Sequence, residues 1–129
     1  MKQIAKNQFY EFAVDPAKNR AYLTTVGTFE KASEVPTYFM DADRAIGELT
    51  RGFTVLLDLT QSKPASPEAR DLREALAKKL AQAGMSKTAQ VLPRDAVLKM
   101  QIDQAMQKAD ALKMVFASKD EAEAWLDKK

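Results

Sequence analysis

The sequence of 129 residues contains no cysteine and no histidine. Without cysteine, the chain has no disulfide, no thiolate nucleophile and no cysteine-ligated zinc. Without histidine, it lacks the usual general base at neutral pH and the commonest ligand of transition metals. Its four glycines stand apart from one another, so there is no glycine-rich phosphate loop. Carboxylates, amines, guanidinium groups and hydroxyls remain, and the sequence predicts neither a cofactor nor a metal site.

Charge and hydropathy exclude further classes of protein. The 20 basic and 18 acidic side chains nearly cancel, whereas a nucleic-acid binder usually concentrates basic residues on one face. We therefore expect no nucleic-acid partner. No apolar run approaches the length that crosses a bilayer, and the first residues lack the apolar core of a signal peptide, so we expect a cytoplasmic protein without a membrane interaction. No repeat or linker divides the chain, which predicts one domain over residues 1–129.

The first third of the chain predicts a hairpin followed by a helix. Residues 8–14 alternate between apolar and polar side chains, residues 20–26 are β-branched and aromatic, and the polar run between them has turn chemistry. After Gly27 the apolar period becomes helical, and a helix is predicted to begin near Pro36. Its apolar stripe consists of Val35, Phe39, Ala42, Ile46 and Leu49.

The rest of the chain alternates between strands and helices. Residues 53–59 are apolar on both faces, as in a strand that is covered on both sides. Ser66 and Pro67 are typical of a helix start, and Gly84 is typical of a helix end. A strand over 88–92, a helix near 95–109, a strand over 112–117 and a helix that begins after Ser118 complete the pattern.

This order predicts an α/β fold. It is a mixed five-stranded sheet, with an opening antiparallel hairpin and then parallel βα units, together with four helices. Six side chains are expected to be almost fully buried in its core: Leu56, Leu57, Leu72, Leu76, Phe116 and Trp125.

Four stretches in this order resemble the SpoIIAA-like group, relatives of the STAS domains of anti-sigma factor antagonists and sulfate transporters. They are Val26-Gly27-Thr28, residues 53–58, Ala89-Gln90-Val91 and residues 116–126. The resemblance implies the same fold and a small switch protein that binds a partner kinase. In the antagonists, phosphorylation of a serine at a helix start inactivates the protein, and Ser66 is at about the matching position. The antagonists have Asp-Ser-Ser-Gly where this sequence has Ala-Ser-Pro-Glu, so the looser SpoIIAA-like proteins are the nearer comparison.

Four polar residues at and after the end of the predicted buried strand form the candidate site: Asp58, Thr60, Ser62 and Ser66. Ligands of parallel sheets collect at the carboxyl ends of strands, and helix N-termini attract anions. The segment is therefore a candidate phospho-switch or anion site. The alternative is that Ser66 only caps its helix, a contribution of about 1 kcal/mol.

No arrangement of carboxylates predicts catalysis. Glu30, Glu34, Asp41 and Asp43 are spread over a loop and the polar side of the first helix, and we interpret them as solvated surface charges. Asp58 is better placed, but no second carboxylate is positioned to share acid–base or metal chemistry with it. We therefore expect that the protein is not an enzyme.

Some apolar side chains fall outside the predicted core stripes. Val97 and Met100 lie on the far side of the helix near 95–109, and Met40 lies on the far side of the first helix. Exposed methionines suit adaptable contacts, so Val97 with Met100 is a candidate protein-contact patch. Scattered surface apolar residues are the alternative, and we favour it for Met40.

Two functions follow as hypotheses. The first is a non-enzymatic interaction or regulatory module with a protein partner, or with a second copy in a homodimer. The second is a small-molecule or lipid-binding protein with a cavity between the sheet and the helices.

Overall fold

A six-stranded sheet forms the centre of the protein in a computed structural model that describes residues 1–27, 29–63, 66–93 and 113–128. The strands lie side by side in their order along the chain, antiparallel from the first to the third and parallel from the third to the sixth. They are β1 (Lys2–Lys6), β2 (Tyr10–Asp15), β3 (Arg20–Gly27), β4 (Thr54–Ser62), β5 (Lys87–Val91) and β6 (Lys113–Phe116). This topology confirms the predicted α/β class.

The prediction of five strands is wrong by one, because β1 adds a strand at the edge of the sheet. Ile4 is its one buried residue, and a lysine stands at each end, so the sequence of β1 shows no alternation. The pairing of β1 with β2 also shifts register between Gln3 and Ala5, which forms a β-bulge. Polar, irregular sequences of this kind are typical of edge strands.

Three α-helices cover the sheet in the described part of the chain. α1 (Tyr38–Gly47) and α2 (Pro67–Gln82) lie on one face, and α3 (Lys119–Asp127) lies on the other. α1 begins after Pro36, because a short 3-10 turn, Ala32–Glu34, comes first. The helix predicted near 95–109 falls outside the described residues, so the fourth helix stays a prediction.

The boundaries of α2 match the sequence signals. Ser66 is its N-cap, and Pro67 is its first residue. Gly84 follows the helix with a φ of +103°, which side chains rarely adopt. A Cβ atom at Gly84 would also lie 2.9 Å from Cγ of Arg51, so this position requires glycine for two reasons.

The sheet separates two hydrophobic clusters. The larger one lies under α1 and α2, and the smaller one lies under α3. Val55 belongs to the larger cluster and is 1% exposed, whereas the next residue, Leu56, belongs to the smaller cluster and is 2% exposed. The prediction that β4 is covered on both faces is therefore confirmed.

Only two of the six predicted core side chains are almost fully buried, namely Leu56 and Leu76. The other four lie at the margins of the clusters: Leu57, Leu72, Phe116 and Trp125. Phe116 belongs to β6, at the edge of the described sheet, and the ring of Trp125 packs beside it at a centroid distance of 5.8 Å. The prediction of near-complete burial was wrong for these four, because apolar periodicity does not distinguish the centre of a face from its margin.

Candidate functional site

Asp58, the only carboxylate of the predicted site, lies in the middle of β4, where the pairing of β4 with β5 ends. It lies on the α3 side of the sheet and is 4% exposed. Its Oδ1 accepts hydrogen bonds from the Thr60 amide at 3.0 Å and from the Thr60 hydroxyl at 2.7 Å. Its Oδ2 lies 3.2 Å from Nζ of Lys119, the first residue of α3. Asp58 and Thr60 are thus in contact, and Asp58 attaches α3 to the sheet.

The surroundings of Asp58 favour its ionised form. Burial alone would raise the pKa of Asp58, but the hydrogen bonds from Thr60 and the ammonium group of Lys119 outweigh it, so the pKa is lowered. The carboxylate is therefore a weaker base than an ordinary aspartate.

We expect this lowered pKa to contribute stability above about pH 4, the ordinary pKa of aspartate. The contribution is lost as the pH falls through the folded-state pKa, because protonation then occurs more readily in the unfolded chain. An Asp58→Asn variant should lose less stability than the wild type between neutral and acid pH in urea titrations. Equal losses in both proteins would contradict the assigned role of Asp58.

Ser62 is at the end of β4 and has other partners. Nη2 of Arg73 on α2 donates to the Ser62 hydroxyl oxygen at 3.3 Å, and the hydroxyl donates to the carbonyl of Lys63 at 3.4 Å. Ser62 therefore connects the end of β4 to α2.

Ser66 joins two segments through one hydroxyl group. Its Oγ accepts a hydrogen bond from the Ala69 amide at 3.2 Å, which caps α2, and donates to the carbonyl oxygen of Glu30 at 2.9 Å. The carboxylate of Glu68 accepts from the amide of Ala32. We call these five residues the Ser66 junction, and they hold the 3-10 turn against the start of α2.

Glu34, the last residue of the 3-10 turn, also stabilises the turn through its carboxylate. Oε2 of Glu34 accepts hydrogen bonds from the amides of Glu30 at 2.7 Å and Lys31 at 2.8 Å. These backbone donors lower the pKa of Glu34. The turn before α1 is thus fixed by carboxylates and by the Ser66 hydroxyl.

The four predicted site residues therefore use different partners. Asp58 and Thr60 contact each other beneath α3, whereas Ser62 and Ser66 bind Arg73 and Glu30 on the α2 side. The predicted phospho-switch or anion-binding role stays a prediction.

Two buried charged residues were missed by the sequence analysis. Asp41, expected at the solvated surface, is 7% exposed. The Tyr10 hydroxyl donates to its Oδ2 at 2.6 Å, and the Thr37 hydroxyl donates to the same oxygen at 3.0 Å. The expectation was wrong because the buried hydroxyl of Tyr10, on β2, compensates for the burial of the Asp41 carboxylate. The predicted inward position of Tyr10 was the one sequence signal that a polar partner is needed inside the protein.

Arg20, at the start of β3, is the second of these residues and is 3% exposed. Its Nε donates to the Thr54 hydroxyl oxygen at 2.8 Å, its Nη2 lies 2.9 Å from a carboxylate oxygen of Asp127, and its Nη1 pairs with Glu123. Both acidic partners are on α3. The sequence signal was that Arg20 is the one charged residue of β3.

A cavity of about 440 Å³ lies between α2 and the sheet. Leucines from both elements line it, including Leu57 and Leu76, and the lining is mostly apolar. Its charged lining residues are three basic ones, Arg73, Lys87 and Lys113, and one acidic one, Glu74. Its volume is within the range of small-molecule sites, roughly 300–1,000 Å³.

Other predicted features have mixed outcomes. Met40 is 64% exposed, as expected from its position on the far side of α1. Val97 and Met100 lie outside the described residues, so their role as a protein-contact patch stays a prediction.

Within the described ranges, no cluster of three or more acidic side chains could hold a metal ion. No helix among these residues combines the length and apolar character of a membrane span.

The fold is SpoIIAA-like. The chain is similar to the crystal structure of an uncharacterised protein of the DUF3478 family from Shewanella loihica PV-4, which has a SpoIIAA-like fold. The TM-score is 0.67 at 14% sequence identity, and the match covers 95% of this chain and 97% of the other. No protein-family model matches the sequence, and neither does any curated protein. The similarity confirms the predicted fold resemblance.

Proposed function

We propose that the chain is a cytoplasmic, non-enzymatic protein-interaction module that is regulated at the Ser66 junction. The observation that carries the proposal is the double role of the Ser66 hydroxyl, which caps α2 and holds the carbonyl of Glu30. One modification of this oxygen would therefore act on two surface segments at once.

A phosphate on Ser66 would have opposite effects on these segments. It would remove the proton that the hydroxyl donates to Glu30, and it would add negative charge beside the carboxylate of Glu68. The positive end of the helix dipole at the start of α2 favours negative charge, so the helix itself would be retained. The expected result is release of the 3-10 turn, which changes the surface without unfolding the protein.

The buried carboxylates support a non-enzymatic role. Among the described residues these are Asp41 and Asp58. Each accepts hydrogen bonds from hydroxyl groups and lies near a basic side chain, Arg44 or Lys119. Carboxylates with these partners serve the fold and are poorly placed to accept a proton from a substrate.

The experiment compares the wild type with Ser66→Asp. The variant should bind its partner at least about tenfold more weakly, which corresponds to a loss of about 1.4 kcal/mol in binding free energy. Its thermal stability should be nearly unchanged, because aspartate also caps helices well. The partner is first isolated from the native host with immobilised wild-type protein, and calorimetry with the purified partner then gives both affinities.

Ser118→Asp is the matched control. Ser118 caps α3 through the amide of Glu121 at 3.2 Å, just as Ser66 caps α2. This control should keep the wild-type affinity. If Ser66→Asp also keeps it, Ser66 is only a helix cap and the proposed regulation is wrong.

The cavity favours a second candidate function, which is binding of a small apolar or amphipathic molecule. Native mass spectrometry of the purified protein distinguishes the two candidates. A retained ligand mass that disappears in a Leu57→Arg variant would support the cavity function, whereas the bare chain mass together with a bound protein would favour the interaction module.

A further inference from the structure

The cavity between α2 and the sheet contains a hydroxyl group without a partner. Tyr38, the first residue of α1, is 7% exposed and lines the cavity. Its hydroxyl group forms no hydrogen bond within the described ranges. No fully enclosed polar side-chain atom of these residues lacks a partner, so the Tyr38 oxygen is reached from the cavity. Because hydroxyl groups this deep in a protein are normally hydrogen-bonded, the group indicates a partner that enters the cavity.

Arg73 supplies a positive charge to the same cavity. It is on α2, is half-buried and lines the cavity. Its Nη2 donates to the Ser62 hydroxyl oxygen at 3.3 Å, but the guanidinium group pairs with no carboxylate in the described part of the chain. A guanidinium group has several N–H donors in a planar fork that matches a carboxylate or a phosphate. Most of these donors therefore remain available.

The charge of Arg73 acts on the Tyr38 hydroxyl group. Burial raises the pKa of Tyr38 to about 12, and the positive charge of Arg73 acts in the opposite direction. A tyrosine with this pKa is protonated at neutral pH and donates a hydrogen bond. The hydroxyl and the guanidinium are therefore two donors that suit a negatively charged acceptor.

The other charged residues of the lining are directed elsewhere or exposed. The ammonium group of Lys87 lies 5.2 Å from the ring centroid of Trp125, which is on α3, on the opposite face of the sheet. Glu74 and Lys113 are exposed, so water and salt screen their charges. Arg73 is therefore the charged group that a ligand in the cavity would contact.

The rest of the cavity offers an aliphatic surface. Its apolar residues come mainly from α2 and β4 and include Val55, Leu57, Leu76, Ala77 and Leu80, whereas the residues from β5 are polar. Leu80 follows Arg73 by two turns of α2, which is about 10 Å along the helix axis. Tyr38 is the one aromatic residue of the described lining, so this surface suits a flexible chain better than a stacked ring.

We propose that the cavity binds an aliphatic chain with an anionic head group. Tyr38 and Arg73 bind the head group, and the leucines of α2 and β4 contact the chain. The inference rests on the second candidate function and deepens it, because it assigns the charge of the ligand and the residues that recognise that charge. The head group is a carboxylate or a phosphate, since either accepts hydrogen bonds from both side chains.

Calorimetric titration of the full chain with three octyl compounds tests the head group. Octanoate, octyl phosphate and 1-octanol have the same kind of chain, and only the first two are charged. At least one of the anions should bind at least about tenfold more tightly than 1-octanol, because hydrogen bonds to charged acceptors are stronger. The tighter anion identifies the head group.

Two other outcomes separate the inference from the cavity function. If 1-octanol binds as tightly as both anions, and Leu57→Arg abolishes binding of all three, the cavity function stands and the anionic head group is wrong. If the wild type binds none of the three compounds, both the cavity function and the inference are wrong.

Arg73→Gln and Tyr38→Phe test the two side chains. Each variant should bind the tighter anion at least about tenfold more weakly than the wild type. Arg73→Gln should bind 1-octanol nearly as well as the wild type does, because the aliphatic surface is unchanged. Thermal unfolding verifies that both variants are folded, and the comparison of ligands on the wild type does not depend on them.

Arg70→Gln is the matched control, because Arg70 is exposed on the same helix and does not line the cavity. This control should keep the wild-type affinity for the anion. Equal affinities of Arg73→Gln and Arg70→Gln would overturn the assignment of Arg73 to the head group.

Discussion

Replacement of Leu76 by alanine is expected to lower the free energy of unfolding by about 2–5 kcal/mol. Leu76 is on α2, belongs to the larger hydrophobic cluster and is 6% exposed. The substitution removes its contacts with the sheet and leaves a void that the surrounding side chains fill only in part. Urea unfolding of both proteins, monitored by circular dichroism, measures the difference.

Leu72→Ala is the matched control, because Leu72 is one turn earlier on the same helix and is only partly buried. Its effect should be clearly smaller, since less apolar surface is lost from the core. Equal effects at the two positions, or a loss below about 1 kcal/mol for Leu76→Ala, would contradict the packing of α2 on the sheet.

The second large effect is a loss of folding stability at alkaline pH, because the three tyrosines resist ionisation in the folded protein. Burial raises the pKa of Tyr22 and of Tyr38 to about 12, and burial together with the hydrogen bond to Asp41 raises the pKa of Tyr10. The stability contributed by these groups is undiminished below about pH 10, where tyrosine is neutral in the unfolded chain as well. It is lost as the pH rises from about 10 towards 12, because the unfolded chain ionises first.

Tyr38 alone should account for about 2–3 kcal/mol of this loss, since each pKa unit corresponds to about 1.4 kcal/mol. Ultraviolet absorbance of tyrosinate during a pH titration follows ionisation, and urea unfolding at each pH follows stability. Tyr38→Phe should show a smaller alkaline loss than the wild type. If the tyrosines of the folded protein titrate near pH 10, as they do in the unfolded chain, the assigned burial is wrong.

The sequence predicted most elements of the fold because their signals are local. The hairpin, β4 and α2 follow from alternation, a two-sided apolar run, and the pair Ser66 and Pro67 at a helix start. β1 was missed because it forms a strand only by pairing with β2, through a bulge. A segment of five residues with one buried side chain has no sequence pattern that predicts this pairing. Tertiary pairing decides such strands.

The candidate site was predictable only in part. The capping role of Ser66 follows from its position before Pro67, and the structure contains that cap. Its bond to Glu30 connects residues 36 positions apart, and the pairs of Arg20 with Glu123 and Asp127 connect more distant ones. Contacts between distant polar residues leave no periodic pattern, which explains why Asp41 and Arg20 were not recognised as buried.

The bulge in β1 has a consequence for association between molecules. A straight strand from another molecule could not maintain hydrogen-bond register along an edge that shifts between Gln3 and Ala5. Lys2 and Lys6 at the two ends would also bring like charges together if two such edges met. The edge formed by β1 therefore resists growth of the sheet from one molecule into the next, which protects the protein from ordered aggregation at that side.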